Sequence, residues 1–171
     1  MTTTPRVLVT AASKHGATAE IAEAIAGELR SAGVTAELRR PEDVASLDGY
    51  DAVVIGSAIY TGRWLEPARR LTERLYAGLR HRPTWLFSSG PIGDPPVPAE
   101  EPADGARLVA ELGAREHRVF AGRLNGADLG WVERAITSFV DADDGDFREW
   151  DAIRAWAREI AAALVPAHAS V

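Results

Sequence analysis

Short apolar runs alternate with amphipathic helical segments along this 171-residue chain. The run at 52–56 has no polar residue, which is typical of a strand buried on both faces of a parallel sheet. After the first run, Ile21, Ile25 and Leu29 recur at every fourth position and indicate a helix with one apolar side. This alternation predicts an α/β fold in which helices cover both faces of a parallel sheet.

Five segments have the length and composition of strands, and the second of them alternates apolar and polar residues. Right-handed crossovers between such strands leave few possible topologies. Ligands of these sheets bind beyond the carboxyl ends of the strands, where the winding direction changes. The loops after the first, third and fourth strands are therefore the expected places for a site. The predicted strands are residues 6–11, 34–38, 52–56, 83–88 and 117–124.

Helical periodicity fills the intervals between these runs. A Pro- and Gly-rich loop at 90–102 follows the fourth strand. Asp146 and Glu149 have the spacing of a capping box at the start of the last helix. The predicted helices run from Ala17 to a stop signal at Gly33, along an apolar stripe from Leu65 to Leu79, over 103–116, over 128–139 and over 153–164.

Composition excludes several classes of function. The formal net charge of −6 argues against a nucleic-acid-binding surface, and the absence of cysteine excludes disulfides, thiolate metal sites and cysteine nucleophiles. The four histidines lie far apart, and the acidic run at 141–146 lacks the glycine spacing of a calcium loop, so no metal site is predicted. Residues 1–6 do not resemble a secretory signal, and no apolar run approaches the roughly 20 residues of a membrane span. A cytoplasmic protein is expected.

The loop after the first strand has the chemistry of a phosphate site. The unpaired N–H groups in the first turn of a helix carry partial positive charge and bind anions. Ser13 and Thr18 add hydroxyl groups, Lys14 adds charge, and Gly16 allows close approach to the backbone. The alternative is an ordinary strand-to-helix turn with Thr18 as its cap. Neither the Walker A motif nor the dinucleotide-binding glycine motif is present in the chain.

Residues 13–18, Ser-Lys-His-Gly-Ala-Thr, resemble the phosphate loop of flavodoxins, [ST]-x-T-G-x-T, with His15 replacing the usual threonine. A variant, S-T-x-x-G-x-T, occurs in the menaquinone-dependent protoporphyrinogen dehydrogenases of flavodoxin fold, and the chain fits it better. Residues 51–64 and 146–161 are similar to two further blocks of that family. The resemblance implies one flavodoxin-like domain over residues 1–171, a doubly wound five-stranded parallel sheet of order 2-1-3-4-5, and FMN as cofactor.

The same resemblance implies that three loops hold FMN. The first loop would hold the phosphate, and the loops after the third and fourth strands would flank the isoalloxazine ring. Tyr60 or Trp64 would stack on the ring or shield it, the alternative for each being packing in the core or on the surface. No side chain is predicted to act as a catalytic acid or base. The predicted cofactor-binding residues are Ser13, Lys14, His15, Gly16, Ala17 and Thr18; Ser57, Ala58, Ile59, Tyr60, Thr61 and Gly62; and Ser88, Ser89, Gly90 and Gly93.

Three functions are compatible with these residues. The first is an FMN-dependent oxidoreductase that acts on a quinone or another small redox substrate, as the protoporphyrinogen dehydrogenase resemblance implies. The second is a flavodoxin-type electron carrier that docks on a redox partner protein. The third is a flavodoxin-like domain that has lost FMN, because His15 removes a hydroxyl from the phosphate loop. No nucleic-acid partner is expected, any membrane contact would be peripheral, and the oligomeric state is left open.

Overall fold

A parallel β-sheet lies at the centre of the fold. The computed structural model describes residues 3–90, 103–124, 145–146 and 148–165. The strands in chain order are β1 (Arg6–Ala12), β2 (Thr35–Arg39), β3 (Ala52–Tyr60), β4 (Arg63–Trp64), β5 (Thr84–Ser89), β6 (Glu116–Phe120), β7 (Arg123–Leu124) and β8 (Gly145–Asp146).

The main sheet has the order β2-β1-β3-β5-β6, and each of these neighbours pairs in parallel. The predicted order 2-1-3-4-5 is confirmed, since β5 and β6 are the fourth and fifth parallel strands. The short strand β4 pairs antiparallel with the end of β3, and β7 pairs with β8 in a separate two-stranded sheet.

Helices cover both faces of the sheet, as predicted. The helix α1 (Ala17–Ser31) and the last helix, α5 (Trp150–Leu164), share one core with Val7 and Val9 of β1. Leu8, on the other face of β1, shares a second core with the remaining helices. These are α2 (Glu66–Arg74), α3 (Tyr76–Arg80) and α4 (Ala103–Leu112).

Two predicted helices differ from the structure more than the others. The apolar stripe from Leu65 to Leu79 belongs to two helices, α2 and α3, because the backbone leaves helical geometry at Leu75 (φ −106°, ψ 18°). The helix predicted for 103–116 ends at Leu112, and Gly113 with φ +66° reverses the chain into β6.

The capping box predicted for the last helix is wrong. The helix begins at Trp150 with Glu149 as its N-cap, and Glu149 makes no side-chain capping hydrogen bond. Asp146 instead belongs to β8, because that segment pairs with β7.

The strand predicted for 117–124 is divided between β6 and β7. The helix predicted for 128–139 lies outside the described residues.

No helix within the described ranges is both long enough and apolar enough to cross a membrane.

Candidate functional site

The three predicted loops meet at one edge of the sheet. Ala12, the last residue of β1, is the register partner of Ser57 in β3. Ser57 is in turn the register partner of Ser88 in β5. Because these parallel strands end side by side, the phosphate loop and the two ring-side segments are neighbours, as the topology predicts.

The phosphate loop is open around its glycine. Gly16 is the N-cap of α1 with φ +86°, and a Cβ built on it would meet nothing within 4 Å. Its N–H donates to the Ser13 hydroxyl at 3.0 Å, which holds the loop in a tight turn. Thr18 is buried inside α1 and no side chain caps the helix, so the alternative of Thr18 as a cap is wrong. Among the described residues, the turn at the start of α1 is therefore open around Gly16.

This geometry fits the phosphate end of FMN. Thr10, near the carboxyl end of β1, has a fully buried hydroxyl that finds no hydrogen-bond partner within the described part of the chain. Lys14 and His15 are exposed on the loop itself. A glycine turn at a helix N-terminus, with a hydroxyl and a cation beside it, is the donor set that an organic phosphate requires.

The first ring-side segment is mostly strand rather than loop. β3 continues through Tyr60, whereas the sequence predicted its end at Gly56. Thr61 and Gly62, both with positive φ (51° and 77°), form a two-residue turn into β4. Positive φ at both central positions is the geometry of a tight hairpin turn, and it is strained for the β-branched Thr61.

Lys14 joins the phosphate loop to this hairpin. Its Nζ atom lies 4.1 Å from the centre of the Tyr60 ring, a cation–π contact. Tyr60 is half-buried at the end of β3. The contact brings a phosphate-loop cation and a ring-side aromatic together at the open edge of the sheet.

Trp64 packs in the core, the alternative to stacking on the ring. Its side chain is 2% exposed, and its Nε1–H donates to the Ser88 hydroxyl at 2.8 Å. The Ser88 hydroxyl also lies 2.7 Å from Nε2 of His117. The His117 ring in turn covers Gly105, where a Cβ would lie 2.3 Å from the ring. Ser88 therefore anchors this network, and its contribution to a cofactor site would come from its backbone.

The Ser57 hydroxyl also makes its hydrogen bonds within the protein. Its hydroxyl accepts the Leu65 N–H at 2.9 Å and donates to the Ala58 carbonyl at 2.8 Å. It is fully buried and fixes the entry to α2 behind the ring-side hairpin. Ser89 is buried as well, whereas Ala58 and Ile59 are half-buried. Gly90 packs against Ile59, since a Cβ added to Gly90 would lie 3.0 Å from the Cβ of Ile59. Gly93 lies outside the described residues.

Asp104 holds the hairpin from the side of α4. Its carboxylate accepts the Trp64 N–H at 2.8 Å and pairs with Arg107 at 3.1 Å. Burial raises the pKa of this carboxyl, but the Trp64 N–H and the Arg107 guanidinium outweigh it and lower the pKa below its ordinary value. The group is thus a buried anion that binds the backbone next to the site.

We expect the Asp104→Asn variant to lower the free energy of unfolding by roughly 1–2 kcal/mol at pH 7, because a charge-assisted hydrogen bond and an ion pair are weakened. The pKa of Asp104 is lower in the folded protein than in the unfolded chain, where it is about 3.9, so the ionised carboxylate stabilises the fold at pH values above 3.9. This stabilisation is lost as the pH falls through the pKa of the folded state. The difference between variant and wild type should therefore shrink below pH ~4 in urea titrations.

The matched control is Glu111→Gln, since Glu111 also pairs with Arg107 but is 47% exposed. Its effect should stay within about 0.5 kcal/mol. A deficit of Asp104→Asn that persists unchanged at pH 3 contradicts the assigned role of the charge.

Two contacts at this edge have no counterpart among the sequence predictions. The Trp64–Ser88–His117 network depends on side-chain directions, and its one sequence signal is a histidine at the start of a predicted strand. Arg148, which contacts the first turn of α1, lies in the block at 146–161, but nothing in that block indicates its partner.

Within the described ranges, no group of three or more histidine, aspartate or glutamate side chains is placed to hold a metal ion.

Solved structures similar to this chain include flavodoxins and a larger oxidoreductase. A flavodoxin from the domain Archaea superposes with a TM-score of 0.66 at 18% identity, over 93% of this chain and 98% of its own. Flavodoxin 1 from Bacillus cereus gives a TM-score of 0.62 at 15% identity, over 94% of this chain and 99% of its own. Rubredoxin oxygen:oxidoreductase from the anaerobe Desulfovibrio gigas gives 0.65 at 18% identity, over 94% of this chain but 37% of its own. At these identities the likeness shows the fold.

No curated protein sequence matches the chain significantly. A family model described as "Flavodoxin domain", by contrast, matches residues 8–151, from β1 to the first turn of the last helix. The match includes the phosphate loop and both ring-side segments. FMN is the cofactor of flavodoxins, and the open glycine turn at the start of α1 fits its phosphate. This chain belongs to the flavodoxin domain family.

Proposed function

We propose that this chain is an FMN-dependent oxidoreductase that passes electrons from a small reduced substrate to a quinone. The observation that carries the proposal is the open glycine turn at the start of α1, placed beside the ends of β3 and β5 by the strand register. The resemblance of residues 51–64 and 146–161 to the protoporphyrinogen dehydrogenases supports a porphyrinogen-like donor and a quinone acceptor.

Different segments of the chain would bind different parts of the cofactor. Ser13, Lys14 and the backbone of residues 16–18 would bind the phosphate, with His15 at the rim of the loop. Backbone groups of residues 57–62 and 88–90 would meet the polar edge of the ring, and Tyr60 would cover it. Bound FMN supplies the redox chemistry, so no acid or base of the protein is required.

The test starts with the absorbance spectrum of the purified protein after addition of FMN. We expect a flavin band that stays with the protein through gel filtration. A protoporphyrinogen-type substrate with menadione as acceptor should then be oxidised, two electrons and two protons passing to each quinone to give the quinol. A flavin-loaded protein that oxidises no porphyrinogen refutes the substrate. A preparation that binds no FMN refutes the cofactor site and favours a domain that has lost FMN.

The second candidate is an electron carrier. It is favoured by the match to flavodoxins over 98–99% of their own length, because those chains consist almost entirely of the shared fold. A carrier would show a reduction potential far below that of free FMN and slow turnover with menadione. Rapid two-electron turnover with the quinone argues for the oxidoreductase.

A further inference from the structure

Arg63 lies on the outer face of the hairpin formed by β3 and β4. Side chains directly opposite each other in an antiparallel pair point to the same face. Ile59 pairs with Trp64, and both pack on the second core. Tyr60 pairs with Arg63 next to the turn, so these two residues share the face that is directed away from that core. An aromatic residue and an arginine therefore occupy opposed positions on this face, at the edge of the sheet where the three loops meet.

The backbone of Arg63 is held in place by buried hydrogen bonds of the next residue. The N–H of Trp64 donates to the carboxylate of Asp104 at 2.8 Å, and its indole N–H donates to the Ser88 hydroxyl at 2.8 Å. The Arg63 side chain itself is exposed. The core thus fixes where this side chain begins and leaves its guanidinium in solvent.

The contacts of the fold do not account for Arg63. Among the arginines whose side chains the structure describes, it is the one without a hydrogen bond, an ion pair or a ring contact. The nearby carboxylate of Asp104 is already bound, by the Trp64 N–H on one oxygen and by Arg107 on the other. The five N–H donors of the Arg63 guanidinium are therefore free to bind a ligand.

The chemistry of this face indicates the kind of ligand. A guanidinium binds a carboxylate through two parallel hydrogen bonds, and an aromatic ring beside it favours a ligand with an apolar ring system. Arg70, the next exposed arginine along the chain, is already paired with Glu66. One unpaired guanidinium suits a single anionic group, whereas an acidic protein surface would be matched by a spread of positive charges.

We infer that Arg63 is a specificity-determining residue that binds a carboxylate of the electron donor, an inference that rests on the proposed oxidoreductase function. The substrate class is then a cyclic compound with a carboxylate at its margin. A porphyrinogen with acidic side chains belongs to this class. A neutral quinone does not, so Arg63 would discriminate between the donor and the acceptor.

The test compares a carboxylic acid with its own ester. The probes are mesoporphyrin, which has two carboxylates, and mesoporphyrin dimethyl ester, both dispersed in the same neutral detergent. In Arg63→Gln we expect the Kd of the acid to rise about tenfold at low salt and less at high salt. The Kd of the ester should change less than about twofold. Porphyrin fluorescence gives both values without turnover of the enzyme.

Two further variants separate hydrogen-bond geometry from charge. Arg63→Lys keeps the charge but loses the planar fork of donors, so it should bind the acid about threefold more weakly than the wild type. Arg70→Gln is the matched control, because it removes the same charge from a side chain that is 75% exposed. This control should leave the Kd of both porphyrins unchanged. All three variants should keep the urea midpoint and the FMN affinity of the wild type, since Arg63 and Arg70 are exposed.

Turnover supplies an independent readout. With protoporphyrinogen as donor and menadione as acceptor, Arg63→Gln should raise the KM of the donor about tenfold and leave kcat and the KM of menadione within about twofold. Equal changes for acid and ester, no change for either, or an equal effect of Arg70→Gln overturn the inference while the proposed function stands. A flavin-loaded wild type that oxidises no porphyrinogen overturns the proposed function and this inference together.

Discussion

Replacement of Gly56 by alanine is expected to lower the free energy of unfolding by about 3 kcal/mol, at the upper end of the cost of overpacking a core. A Cβ on Gly56 would lie 2.0 Å from Cζ of Phe87 on the neighbouring strand. Phe87 cannot move aside easily, because it is fully buried and packs on Phe120 and Trp156, each 6.1 Å away between ring centres. The strands β3 and β5 would have to separate where they carry the ring-side segments.

Gly27→Ala is the matched control for this substitution. Gly27 lies in the middle of α1, and a Cβ on it would meet nothing within 4 Å. Alanine has a higher helix propensity than glycine, so this variant should be more stable by up to about 1 kcal/mol. Urea titrations of both variants, followed by circular dichroism, give the comparison. Equal stability of the two variants contradicts the role assigned to the Gly56–Phe87 contact.

The parallel sheet could be predicted because strands alternate with helices along the chain, and the strand order followed from the family resemblance. The run at 52–56 is apolar throughout because it is fully buried between two cores. The ends of elements could not be predicted in the same way. The continuation of β3 to Tyr60 depends on pairing with β4, and β4 is held by Trp64, whose indole reaches Ser88 on another strand. Such contacts leave no periodic signal in the sequence.

The position of the candidate site follows from topology, but its side-chain contacts do not. Carboxyl ends of neighbouring parallel strands meet at one edge, so the three loops were expected together. The Lys14–Tyr60 contact and the Arg148–Glu20 pair join segments far apart in the sequence. Each of the four residues has an ordinary role as a surface group when it is considered alone. Their pairing depends on how the loops and α5 pack, which the sequence pattern does not encode locally.

Replacement of Gly16 by alanine is expected to weaken FMN binding about a hundredfold in the proposed site. The phosphate must approach the first-turn N–H groups of α1 through the open space over Gly16, and a methyl group there would occupy part of it. Alanine also makes the φ of +86° unfavourable by about 1 kcal/mol, so the loop would tend to leave the geometry that presents these N–H groups.

Gly33→Ala separates backbone strain from loss of the phosphate site. Gly33 lies beyond the other end of α1 with φ +88°, and a Cβ on it also meets nothing within 4 Å. Both variants should therefore lose a similar free energy of unfolding, about 1 kcal/mol, in the absence of FMN. FMN affinity should fall in Gly16→Ala alone, as measured by fluorescence quenching. If the two variants lose FMN affinity equally, the loss comes from the stability of α1, and the phosphate does not bind at Gly16.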